Sequence, residues 1–154
     1  MALEHEFYLV PITIDVERFW MNRENNPEII DRVGIHDDII LYVGDTLNWI
    51  PSKNPALHGT PAGTGINYYG VTLFDKASAR NLKNVFSSWR DLFLNSPTTL
   101  ELTGEFVMLE GGGQAGQYEK LVYNRNEIIK QFEKIISFSD RLSEGNCYVY
   151  HCGI

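Results

Sequence analysis

Long apolar runs are missing from this chain. No stretch reaches the roughly eighteen apolar residues that a bilayer-spanning helix needs, so none is expected. Cysteine is scarce as well, with only Cys147 and Cys152 present. Five residues apart on one extended segment, these two point to opposite faces and are not expected to bridge. Two reduced, buried thiols suit a cytoplasmic protein. The N-terminus carries Glu4, His5 and Glu6 and no basic region, so it does not read as a secretory leader. No Asn-x-Ser/Thr acceptor with a permitted middle residue occurs either.

Motifs that carry chemistry are also missing. There is no Cys-x-x-Cys and no His-Glu-x-x-His, and the four histidines are scattered, so no metal is expected. His36, Asp37 and Asp38 adjoin, but neighbours on a strand or tight loop cannot all face one ion. The string Gly111-x-Gly113-x-x-Gly116 matches a dinucleotide fingerprint on paper only. That fingerprint needs a helix opening at the glycines, whereas residues 117–123 (QYEKLVY) read as a strand. Without a Gly-Lys-Ser/Thr loop or a Gly-x-Ser-x-Gly elbow, neither a cofactor nor a nucleophile is expected. His151 lies next to Cys152, but strand neighbours point apart, and a core histidine with satisfied nitrogens is the expectation. Tyr148 and Tyr150 could serve as a base-stacking platform, yet no basic-aromatic run accompanies them, so nucleic acid is not an expected partner.

Periodicity, by contrast, is strong. Residues 66–74 (INYYGVTLF) are aromatic and β-branched and predict a strand, which Asp75 follows as a helix cap. Leu82, Val85, Phe86, Trp89 and Phe93 then fall on one helical face, with Lys76, Arg80, Lys83 and Arg90 away from it. Asn95-Ser96-Pro97 ends that helix. Residues 98–109 alternate, with Leu100, Leu102, Phe106 and Met108 expected on one face and Gly104 marking a bulge. A glycine-rich turn leads to a hairpin partner at 118–123. Asn124 and Glu127 form a capping-box pattern before a helix striped with Ile128, Ile129, Phe132, Ile135, Ile136 and Leu142, and Gly145 supplies the stop. Residues 147–152 (CYVYHC) are apolar on both faces, as an interior strand would be.

The sequence therefore predicts a single α+β domain with a mostly antiparallel or mixed sheet and two long amphipathic helices on one face. Its C-terminal β-α-β-β-α-β succession matches the split, ferredoxin-like order. At 154 residues one domain is the default, without a linker or internal repeat. Residues 1–50 are expected to extend the sheet, with a strand at 7–14, a helix opened by Asn26-Pro27-Glu28, and a strand at 39–43. Residues 51–65, with three prolines and three glycines, are expected to be irregular throughout.

The charge is uneven. The net charge is −7, and residues 1–50 alone hold ten acids against Arg18, Arg23 and Arg32. Residues 51–154 balance. An acidic region of this kind attracts basic partners and repels nucleic acid and anionic membrane. The leading expectation is a non-enzymatic cytoplasmic domain that binds a basic protein, of the kind an immunity or antitoxin inhibitor would be. Glu24, Glu28, Asp31, Asp37, Asp38 and Asp45 are the expected contact residues. The alternative is a small-molecule enzyme, hydrolase-like, with His58 on the 51–65 loop as acid or base and Asp38 or Asp45 orienting it.

Overall fold

The structure is a computed structural model, and it describes residues 3–55, 63–111, 113 and 115–154. The chain folds as a mixed α+β domain around a four-stranded antiparallel sheet. In the sheet β1 (Glu4–Pro11) and β8 (Cys147–Cys152) are the inner pair, with β2 (Asp31–His36) and β5 (Val71–Phe74) at the edges, in the order β2-β1-β8-β5. The N-terminal region thus supplies half of the main sheet. Pro11 sits at the end of β1, past Leu9, the last residue that β2 pairs, so its missing N–H costs no ladder bond on that side.

Alternation sets the two faces of this sheet. His5, Phe7 and Leu9 of β1 share one face with Val149 and His151 of β8 and Phe74 of β5. On that face pack α2 (Ala79–Phe93) and α3 (Arg125–Ser143). Leu82, Phe86, Trp89 and Phe93 of α2 are buried as the spacing requires, and Trp89 and Phe86 meet Phe132 of α3 edge-on. Burial of each such side chain is worth about 1.5–3 kcal/mol before entropy is subtracted. The opposite face holds Tyr8, Val10, Leu73, Tyr150 and Cys152 under Ile14 and Phe19. Tyr150 is therefore fully buried and Tyr148 half-buried, so the two do not form an exposed aromatic pair. Cys147 and Cys152 are free and lie on opposite faces.

The C-terminal β-α-β-β-α-β order is present, but its strands do not share one sheet. Among the described residues β6 (Thr99–Met108) and β7 (Gly116–Asn124) pair only with each other, as a separate antiparallel hairpin. A bulge between Thr103 and Phe106 turns β6 over. Leu100 and Leu102 face the core, whereas Phe106 and Met108, expected on the same side, lie outward and exposed beside Tyr118.

Four local expectations in the first two thirds give way. Residues 39–43 form no strand; α1 (Asp37–Val43) is a short helix, capped by the His36 side chain, which accepts from Asp38 N at 3.1 Å. Ile39, Ile40 and Val43 then pack inward while Leu41 and Tyr42 stay out, a helical rather than a strand pattern. The helix expected from Asn26-Pro27 is replaced by a turn, in which Asn26 Oδ1 accepts from Glu28 N at 2.9 Å. Val33 and Ile35 beyond it alternate as part of β2. The strand expected over 66–74 begins only at Val71, because residues 67–70 turn over the chain's C-terminal residues. Finally, the 51–65 segment is not irregular throughout: β3 (Pro51–Ser52) and β4 (Gly63–Thr64) pair at its base. His58 lies outside the described residues.

Candidate functional site

The strongest concentration of ionisable groups lies where β1, β2, β8 and the start of α1 meet. Two consecutive acids open α1: Asp37 is held by a histidine and a tyrosine, and Asp38 by a tyrosine with a histidine alongside. Asp37 is buried. Its Oδ1 accepts from His5 Nε2 at 3.1 Å and from the Tyr68 hydroxyl. Asp38 Oδ2 accepts from the Tyr123 hydroxyl at 2.5 Å, with His36 Nδ1 3.4 Å away. His36 Nδ1 and the Tyr123 oxygen are themselves 3.0 Å apart.

Behind Asp37 the hydrogen bonds form a directed chain. His5 and His151 are wholly buried, and His5 Nδ1 lies 2.9 Å from His151 Nε2. His151 Nδ1 lies 3.3 Å from the Thr72 hydroxyl, which accepts from Asn67 N at 2.8 Å. A carboxylate only accepts, so His5 carries its proton on Nε2. Its Nδ1 must then accept from His151 Nε2–H, and His151 Nδ1 from the Thr72 hydroxyl. Two neutral imidazoles satisfy every bond in this chain. Burial, reinforced by His5, pushes His151 down to about 3. Burial also lowers His5, opposed by the hydrogen bond and charge of Asp37. Burial and the adjacent carboxylates raise the Tyr68 and Tyr123 hydroxyls above the ordinary tyrosine range.

In front of the two aspartates lies a cleft of about 560 Å³. One wall is α1, with Asp37, Asp38, Leu41 and Tyr42; the other is the β6–β7 hairpin, with Thr103, Gly104, Glu105, Glu119 and Leu121. The bulge in β6 turns Glu105 toward this space. Four acidic residues line the cleft, and among the described residues that line it none is Lys or Arg. No group of three or more His, Cys, Asp or Glu among the described residues is arranged to hold a metal ion. The chemistry on offer is that of an ammonium or guanidinium host, since such cations accept several separated carboxylates without a fixed coordination polyhedron.

The six acids expected to form one surface are not gathered at one place. Only Asp37 and Asp38 share the cleft. Asp31 begins β2, five residues before His36, which is roughly 17 Å along a strand. There it pairs with Lys134 of α3 at 2.9 Å. Glu24 and Glu28 line a separate hollow in the 21–28 loop, and Asp45 is exposed on the 3-10 turn after α1. Of the alternative trio, the Asp38 carboxylate accepts from the Tyr123 hydroxyl.

Sequence reasoning overlooks Glu105 and Glu119, which arrive from a hairpin read as scaffold, and the partners His5, His36, His151, Tyr68 and Tyr123. One signal was available: in β7 Glu119 stands on the same face as Leu121 and Tyr123, an acid on an otherwise inward-facing row. No known family model, curated protein or solved structure matches this chain.

Proposed function

We propose that this protein binds a basic protein partner, and that the cleft between α1 and the β6–β7 hairpin receives a Lys or Arg side chain of that partner. The observation that carries this reading is the lining of the cleft, with Asp37, Asp38, Glu105 and Glu119 around one space and no base among them. The acid excess of residues 1–50 supports it, because a negative field of that size draws cationic partners to the molecule. The hydrogen bonds from His5 and Tyr68 to Asp37, and from Tyr123 to Asp38, support it too. They hold the two aspartates in place before a partner arrives, so little side-chain entropy remains to be lost on binding. An immunity or antitoxin role is the special case in which the basic partner is a toxin.

The test is a titration of a labelled lysine-rich peptide into the wild-type protein and a Glu105→Gln/Glu119→Gln variant, at low and high salt. Exposed ion pairs contribute about 0.2–1 kcal/mol each, so the variant should bind roughly two- to thirty-fold more weakly. Equal affinity of the two proteins, or binding indifferent to salt, would sink the proposal.

A further inference from the structure

The acidic cleft does not stand alone. Next to it runs an apolar hollow of about 470 Å³, whose lining includes Tyr42, Leu92, Phe93, Pro97, Leu100 and Leu102. Tyr42 lines both spaces, and β6 floors both in succession, with residues 99–102 under the apolar part and 103–105 under the acidic part. Together they form one groove, greasy at one end and anionic at the other. Tyr42 and Leu92 are each more than half exposed, far more than the inward members of their own helices. Among the described residues nothing covers them.

We infer that this groove takes an extended peptide segment of the partner, with a bulky apolar side chain seated by Leu92 and Leu100 and a Lys or Arg about four residues away among the carboxylates. The inference rests on the proposed binding of a basic partner and names the segment that binds. The spacing follows from the floor, read along β7 because β6 is bulged. Leu100 in the apolar part pairs with Tyr123, and Glu119 of the acidic part stands four residues from Tyr123, about 13 Å at the rise of an extended strand. A peptide lying over it advances at the same rise. Charge complementarity selects the occupant. A segment with an acid at the second position would meet Asp38, Glu105 and Glu119, and a wholly apolar segment would leave those carboxylates desolvated without a partner. An apolar anchor beside a charged contact is also how small interfaces gain both affinity and register.

Three Gly/Ser-based peptides test this, each made in both sequence orders: one with Leu and, four residues on, Lys; one with the Leu changed to Ala; and one with the Lys changed to Ala. Binding is read by NMR shift titration on the full chain, with Leu92→Asn and Glu105→Gln/Glu119→Gln variants alongside. Leu92 is exposed, so its variant should fold. The inference expects the Leu-and-Lys peptide to bind tightest, to shift both Leu92 and Asp38, and to lose about tenfold with Leu92→Asn. Equal binding of the Lys-only peptide overturns the inference and leaves the basic-partner reading standing. Equal binding of the Leu-only peptide, unaffected by the glutamate variant, overturns both, as does binding by none of the three. Light scattering on the same samples reads the other occupant. A dimer that Leu92→Asn dissociates would give the groove to a second copy of the chain and overturn the inference.

Discussion

His5 and His151 lie in the core without charge, and that arrangement links stability to pH. Both have folded-state values below the ordinary histidine range, His151 near 3. In the unfolded chain they bind protons as pH falls through about 6.5. Folded, they do not, so over that window the unfolded state holds more protons. Their contribution is fully present above about pH 6.5 and drains away below it, at up to about 1.4 kcal/mol per pH unit for each histidine. Urea midpoints should fall between pH 7 and pH 5, and His151→Gln, though less stable at pH 7, should show a shallower slope. A slope unchanged by that substitution would mean the folded His151 takes up a proton with ordinary affinity. At the other end of the core, Trp89 packs against Phe86 and Phe132 and donates Nε1–H to Thr46 Oγ1 at 2.9 Å. Trp89→Ala removes both the ring and the partner of a hydroxyl, and should cost about 3–5 kcal/mol in denaturant unfolding.

Individual elements show where close approach, not propensity, decides the local fold. Gly153 is the sharpest case, since a Cβ there would come within 2.0 Å of the Tyr68 carbonyl oxygen. The 67–70 turn is tied over this residue by Gly153 N to Gly70 O at 2.7 Å and Ile154 N to Tyr68 O at 3.2 Å. Gly153→Ala should push that turn away and detach Tyr68 from Asp37, lowering the melting temperature and shifting the His5 imidazole resonances. If the melting temperature falls while the His5 signals stay put, the turn is not what holds Tyr68 to Asp37. Gly145, at φ +83°, ends α3 in the left-handed region, and alanine there should cost about 1–2 kcal/mol. The Gly145 stop was legible in the sequence, as were the Asp75 and Asn124 caps and the α2 and α3 stripes. Each rests on contacts within a few residues. The hairpin's separation from the sheet was not legible, because the 98–109 alternation is equally satisfied by a strand in either place. The face switch in β6 was hidden in the same way, since Gly104 could be recognised as a bulge but not which face follows it. The short helix at Asp37–Val43 was missed because five apolar residues suit a buried strand as well as a single amphipathic turn. The site suffered most. Its residues come from β1, β2, α1, the 67–70 turn, β6, β7 and β8, and only tertiary packing joins them.

At the scale of the whole molecule, charge and shape act at different distances. Residues 1–50 hold all of the net charge, but the cleft uses only Asp37 and Asp38 from that region and borrows Glu105 and Glu119 from the balanced remainder. The diffuse excess in Glu24, Glu28, Asp31 and Asp45 lies away from the cleft, so it should govern encounter more than the bound state. At about 0.1 M salt fields reach roughly 10 Å, which leaves distant acids screened and those in the cleft much less so. Association with a basic partner should therefore slow steeply as salt rises, while dissociation changes little. Neutralising Glu24, Glu28 and Asp45 should lower the association rate and flatten its salt dependence. Neutralising Glu105 and Glu119 should instead speed dissociation. Stopped-flow or surface-binding kinetics across a salt series separates the two effects. If the outlying acids proved to control dissociation, the contact surface would lie along β2 and the 21–28 loop, and the cleft would have to give up its place as the binding site.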